Sequence, residues 1–285
     1  SSFKLVKVLK GTFRDGRSAS IPRKVLVVAQ FTISVTLIIC TIIVYRQIQF
    51  AKNRPVGYSR DGLIAITMNT PELYKNYDVL RNDLLGTGAI TDISRSSGPI
   101  TDIWSTSSDF DWKGKDPNLE TNFITCAITH GYGKTVGWQF INGRDFSTKY
   151  STDSTAIVLN ETAAKLMGLK NPINEPVTWE GKNFKVIGVI KDLIMASPFE
   201  TVRPTVFLID YSWTGVVNIR INPDLNVGAA LSRIREVFQK HNPSAPFDYK
   251  FADLEYAKKF DAEERIGKLA SFFAILAILI SCLGL

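Results

Sequence analysis

The side chains of this 285-residue chain that are best suited to chemistry are few, and their spacing works against them. Gly131-Tyr132-Gly133-Lys134-Thr135 contains the Gly-Lys-Thr of a phosphate-binding loop, where backbone N–H groups and a lysine hold a nucleotide's phosphates. That loop needs a further glycine at position 128, and Ile128 stands there, so the stretch reads as a turn entering a short helix. His130 and His241 are the only histidines and lack metal-ligand spacing. Asp109, Asp111 and Asp116 fit a solvated face. No Gly-x-Ser-x-Gly elbow and no Cys-His signature occurs. No catalytic residue, metal ligand or cofactor-binding residue is therefore assigned, and the chain is expected not to be an enzyme.

The clearer signal is the one that positions a chain in a bilayer. Val25–Val44 holds 20 residues without a charge, enough to span roughly 30 Å at about 1.5 Å per residue. It ends in Tyr45-Arg46-Gln47, unlike the small-residue end of a cleaved signal peptide. A second apolar run, 269–285, reaches the end of the sequence and reads as the start of a further span. Residues 1–24 carry seven basic residues against Asp15 alone, a net +6, leaving +1 of the total +7 for the other 261 residues. A nucleic-acid-binding surface would need its excess on the folded part, so no nucleic-acid partner is expected. The same asymmetry places the N-terminus in the cytoplasm by the positive-inside rule and residues from about 46 to 268 in the periplasm. Cys40 and Cys282 fall in the spans and Cys126 stands alone between them, so the exported part must rest on its own core.

Within the first span Gln30, Ser34 and Thr41 fall on one stripe, a candidate face for packing against neighbouring membrane helices. The alternative is that these hydroxyls bond their own backbone.

The exported part repeats a plan. Leu63–Met68 reads as a strand, and Thr70 and Pro71 open a helix with a stripe of Leu73, Tyr77, Leu80 and Leu84. Ala89–Ser94 reads as the next strand. Val216–Ile221 is a strand, Pro223-Asp224 opens a helix lined by Val227, Ala230, Ile234 and Phe238, and Phe247–Phe251 is another strand. Two such units predict an α+β domain whose ferredoxin-like, split βαβ lobe carries both helices on one face. Between them, residues 101–210 read as an inserted strand-rich lobe with a hairpin at Glu180-Gly181-Lys182-Asn183. From Asp253 no breaker precedes Gly267, so one long helix is expected to run from the domain into the membrane.

Several stretches then resemble a known family. "VLVVAQFTISVTLIICTIIVYRQ" in the first span, "GWQFINGRDFS" (Gly137–Ser147), "AIVLNETAAKLMGLKNPI" (Ala156–Ile173), "NFKVIGVIKDL" (Asn183–Leu193) and "ILISCLGL" (Ile278–Leu285) are similar to the MacB/FtsX-type permeases of ABC transporters, also called type VII or mechanotransmission permeases. "SSFKLVKVLKG" is similar to the segment joining the halves of the duplicated eight-span members, which makes this the start of a second half. The resemblance implies a cytoplasmic basic segment (1–24), a transmembrane helix (25–45) and a juxtamembrane stalk (46–61). A porter-like lobe in two parts (62–100 and 211–252) flanks the inserted lobe (101–210), followed by a stalk helix (253–268) and the next span (269–285). It implies a cytoplasmic ABC ATPase subunit that binds the ATP, further transmembrane helices, the lipid bilayer of the inner membrane and a periplasmic or outer-membrane partner. Export or extraction of a peptide, lipoprotein or antibiotic follows from the same likeness. It also implies that Phe3, Leu5, Val6 and Leu9, with Lys4, Lys7 and Lys10, lie against the ATPase; by their own chemistry they serve equally as an anchor on anionic lipid. The same topology would suit a two-span membrane sensor with a periplasmic input domain.

Overall fold

The computed structural model describes residues 20–283. The segment bearing Phe3, Lys4, Leu5, Val6, Lys7, Leu9 and Lys10 lies outside the described residues. In chain order the first elements are α1 (Ser20–Asn53), β1 (Leu63–Thr67), α2 (Pro71–Lys75), α3 (Tyr77–Gly86), β2 (Ile90–Ser96), β3 (Thr106–Ser107), β4 (Phe110–Trp112), β5 (Phe123–Ile128), α4 (Tyr132–Val136) and β6 (Phe140–Gly143). They are followed by β7 (Ala156–Asn160), α5 (Glu161–Leu166), β8 (Pro176–Trp179), β9 (Lys182–Ile190), β10 (Thr205–Ile209), β11 (Val216–Ile221), α6 (Val227–His241), β12 (Lys250–Phe251), α7 (Ala252–Lys258) and α8 (Asp261–Leu283). Two units separate: a helical one from the two ends of the chain, and Lys52–Lys259.

The outer strands of Lys52–Lys259 form a sheet edge in the order β12-β1-β11-β2. β1 and β2 each pair antiparallel with β11, so they run parallel to one another with β11 between them. That is the split βαβ arrangement the repeat predicted. Leu73, Tyr77, Leu80 and Leu84 from α2–α3 and Ala230, Ile234 and Phe238 from α6 bury against Ile64, Ile66, Val217 and Ile219. Local details differ from the sequence expectations. The first helix breaks at Asn76, and Thr70 does not cap it; the Thr70 hydroxyl donates instead to Asn242 Oδ1 at 2.8 Å, tying the two helical loops together. The second helix opens at Val227, not at Pro223, because the Asn226 side chain accepts from the N–H groups of Gly228 and Ala229. Val227 itself is exposed, and only Lys250–Phe251 of the last strand joins the sheet.

Between β2 and β11 the chain builds a second lobe on its own core of Phe110, Trp112, Phe123, Trp179 and Phe184 with surrounding aliphatics. Its strands continue the sheet as β5-β10-β7-β9-β8-β4, and one residue pair, Ser96 with Ile128, joins this part to β2. The expected hairpin is present as β8–β9, with Glu180 and Gly181 both at positive φ. Arg144 fastens the turn before β7. It donates two 2.7 Å bonds to Asp153, whose side chain is 1% exposed. Burial pushes the Asp153 carboxyl up, but the Arg144 fork and the Ser147 N–H outweigh it and hold it below the usual carboxylate range. A lowered folded value stabilises the fold above the unfolded value, near 4, and that contribution is lost as pH falls through the folded value. Asp153→Asn should cost about 1–2 kcal/mol at neutral pH and flatten the acid limb of stability against pH; an unaltered acid limb in thermal melts would count against this.

The single helix expected from Asp253 is two. Lys259 N–H bonds Tyr256 O, closing α7, and Glu264 N–H bonds Phe260 O, opening α8. The local charge pattern explains the break. Lys258 sits in the last turn of α7, and Asp261, Glu263 and Glu264 sit in the first turn of α8, each matching its helix terminus.

Candidate functional site

A segment leading into a domain from a long helix can be a loose tether or a rigid joint, and its backbone bonds decide which. Residues 55–61 form a strap held on three sides. Val56 O accepts from Ile194 N–H at 3.0 Å, and Ser59 N–H donates to Val136 O at 2.9 Å. Gly57 has φ +85°, and a Cβ there would lie 2.1 Å from Asp192 O, so only glycine lets the strap approach this closely. The far end of the unit returns to the same place: Lys259 Nζ donates to Met195 O at 3.1 Å. Burial lowers the Lys259 pKa, and Asp102 and Glu255 oppose that shift. Arg60 lies over the Tyr256 ring at 4.4 Å, joining strap and α7 directly. Leu193, Ile194 and Met195 are buried, and Asp192 accepts from Thr162 N–H and Oγ1, each at 2.8 Å. Residues 192–195 are thus one clasp gripping the entering and leaving ends of the domain.

Arg220 on β11 completes the joint. Its guanidinium donates to Thr135 O at 2.9 Å, to Ser59 O at 3.0 Å and to Asp61 O. Burial lowers its pKa, offset in part by the Asp61 and Asp92 carboxylates. One side chain therefore connects the ferredoxin-like lobe, the strap and α4. The Gly-Tyr-Gly-Lys-Thr stretch belongs to this joint. Gly131 and Gly137 bracket α4 in left-handed conformations. A Cβ on Gly133 would fall 1.9 Å from Trp138 Nε1. Lys134 pairs with Asp92 at 2.9 Å, and Thr135 Oγ1 donates to Gly131 O at 3.0 Å. Tyr132 and Trp138 pack against Phe207, tying α4 to β10. Because the Lys134 side chain is 78% exposed, Lys134→Ala should shift stability by less than about 1 kcal/mol. A fluorescent ATP analogue should bind neither form, and saturable binding lost in the variant would contradict this structural reading.

Arg220 and Gly57 carried no motif in the sequence. A usable signal was the arginine in "VVNIRI", a charge within an otherwise apolar strand. The predicted membrane-helix face lies in the other unit. Ser34 is buried, while Gln30 and Thr41 are half-buried. Thr32, Ser34, Thr36 and Thr41 each donate to the carbonyl four residues earlier. Thr41 also lines a cleft with Tyr45, Ser271, Phe272 and Ile275, so a backbone bond and a place between α1 and α8 coexist at this residue. α1 is long and apolar enough to cross a membrane, with a mean hydropathy of 2.4. Val25, Leu26, Val28 and Ile33 are each at least 60% exposed, unlike the face of a soluble core helix. The histidines are apart: His130 Nδ1 meets the Tyr211 hydroxyl at 2.7 Å, and His241 Nε2 meets Asp83 at 2.8 Å. Asp109, Asp111 and Asp116 are exposed. Among the described residues no three His, Cys, Asp or Glu side chains gather in a metal-binding group.

Residues 25–237 match the family described as MacB-like periplasmic core domain. The fold is similar to the periplasmic region of MacB from Actinobacillus actinomycetemcomitans, with TM-score 0.50 and 17% identity over 71% of this chain and 94% of that one. The extracellular domain of the noncanonic ABC-type transporter YknZ from Gram-positive bacteria matches at TM-score 0.45 and 16% identity, covering 66% of this chain and 97% of that one. A domain of a putative permease protein from Porphyromonas gingivalis matches at TM-score 0.39 and 14% identity, over 54% and 71%. No curated protein matches the sequence.

Proposed function

Because the chain belongs to the MacB-like periplasmic core domain family, the periplasmic domain of an ABC-type transporter permease, we propose that it couples ATP hydrolysis by a separate cytoplasmic subunit to movement of this domain. The work done is export or extraction of a substrate such as a peptide, lipoprotein or antibiotic. Family membership favours this reading over a two-span sensor. The observation that carries the coupling is the clasp: the strap and Lys259 just past α7, at the two ends of Lys52–Lys259, are bonded to one segment, 192–195, buried at Leu193, Ile194 and Met195. A displacement delivered at either end is then shared by the whole unit instead of being lost in flexible linkers. In this reading α1 crosses the inner membrane, α8 leads into a second span, and the residues between lie in the periplasm.

Purification of the chain from its native membrane in mild detergent should bring down an ABC ATPase with vanadate-sensitive ATP hydrolysis. Repeated recovery without any ATPase would overturn the coupling. A reporter fused near residue 150 should read as periplasmic, and a cytoplasmic readout would overturn the topology.

A further inference from the structure

A groove of about 900 Å³ opens in the inserted lobe and shares no residue with the clasp. Its walls come from β3 and the turn after it, from the β8–β9 hairpin and from the β10–β11 connection. Two indoles form its aromatic part. Trp179 stacks on Phe110 at 5.6 Å and 10°, and its Nε1–H donates to Ser107 Oγ at 3.1 Å. Trp213 lies nearly parallel to Trp179, at 22° and 6.3 Å, and is 36% exposed. The Asp210 carboxylate accepts from Ser212 N–H, Ser212 Oγ and Trp213 N–H, so the turn presenting the second indole is fixed before any ligand arrives.

Around the indoles stand hydrogen-bonding groups that the protein does not use. The side chains of Thr106, Ser108, Asn122, Asp109 and Glu180 line the groove, and none of them bonds another described residue. Glu180 is the most telling. It holds φ +48° beside Gly181 at +73° in a two-residue hairpin turn, where asparagine, aspartate or glycine is the ordinary first residue. A glutamate there bears backbone strain that those residues would not, and strain of this kind is characteristic of positions where the side chain is used.

The lining also argues against other ligand classes. Three carboxylates, Asp109, Glu180 and Asp210, face one lysine, Lys182, which disfavours an anion. Leu208 and Ile209 are the only aliphatic side chains in the wall, too little surface to bury a lipid tail. A cation would also suit indoles beside carboxylates, and trilysine tests it; the uncharged Thr106, Ser108 and Asn122 around this flat, electron-rich face favour a ring bearing hydroxyls. A sugar ring matches that description, with C–H bonds on one face and hydroxyls around its edge. We infer that this groove binds a neutral oligosaccharide, with a ring laid on Trp213 and hydroxyls donated to Asp109 and Glu180. The inference stands whether or not the chain works with an ATPase.

The test uses the whole chain in a detergent without a sugar headgroup, with tryptophan emission and titration calorimetry read together. Triacetylchitotriose, maltotriose and trilysine are the probes. At least one saccharide should bind saturably. Trp213→Ala should weaken that binding about tenfold and Glu180→Gln should weaken it severalfold, whereas Trp104→Ala, an exposed indole outside the groove, should change it less than twofold. Matching thermal midpoints establish that the variants are folded. Binding of neither saccharide, binding unchanged in Trp213→Ala, or binding of trilysine alone would overturn the assignment.

Discussion

Replacing Arg220 by methionine should lower the unfolding free energy of Lys52–Lys259 by about 2–3 kcal/mol, although methionine retains much of the apolar stem. The guanidinium serves Thr135 O, Ser59 O and Asp61 O together. Hydrogen bonds from a charged donor are worth about 1.5–3 kcal/mol each; the bond to Thr135 O is partly buried and the other two are exposed, which keeps the total well below the sum. For a unit of this size each kcal/mol moves the melting temperature by about 2–4 °C, so a fall of about 4–12 °C is expected by calorimetry. Arg220→Lys should recover only a small part, because a single ammonium cannot reproduce a fork aimed at three carbonyls. Limited proteolysis should find new cleavage within residues 55–61 in both variants. A melting temperature unchanged in Arg220→Met would mean that the strap is held without this side chain.

Gly57→Ala should be at least as damaging, at about 3 kcal/mol or more. Two separate costs combine. An alanine at φ +85° pays the left-handed penalty of about 1–2 kcal/mol, and its Cβ would stand 2.1 Å from Asp192 O, a backbone atom that cannot swing aside. The strap must therefore lift from the clasp and give up the Val56–Ile194 bond. Gly86→Ala is the control. Gly86 has ordinary φ and open space around its Cβ position, so a helical alanine there should be neutral or stabilising by up to about 1 kcal/mol. Equal losses in the two variants, measured by denaturant titration, would refute a close approach at Gly57.

The frame of the fold was legible because it rests on local periodicity. The stripes at Leu73, Tyr77, Leu80 and Leu84 and at Ala230, Ile234 and Phe238 bury as their spacing requires, and the strands beside them pair as the repeat implies. Helix boundaries were less legible: Thr70 gave its hydroxyl to a residue 172 positions away instead of capping, whereas the Asn226 cap is local and Pro223-Asp224 drew the start three residues too early. The break at Lys259 was in fact written in the charges on either side, Lys258 and Lys259 followed by Asp261, Glu263 and Glu264, but the absence of a glycine or proline between Asp253 and Gly267 concealed it. The clasp was hidden for a different reason. It unites residues 56–61, 135, 192–195, 220 and 259, which no spacing rule connects, and its key glycine is defined by an atom more than a hundred residues away. The Gly-Tyr-Gly-Lys-Thr stretch shows the converse: residue types borrowed from nucleotide binding are each accounted for by local packing.

The proposed coupling, in which Lys52–Lys259 moves as one body, is tested most directly by pulsed electron–electron distance measurements on the chain in nanodiscs with the ATPase that co-purifies with it, with and without trapped ATP. Spin labels at Arg54 and Lys182 report the interior of the unit, and a labelled lipid headgroup reports its position against the bilayer. The Arg54–Lys182 distance should stay constant through the ATP cycle while the distance from Lys182 to the headgroup plane shifts. A changing Arg54–Lys182 distance with an unmoved headgroup distance would contradict the account.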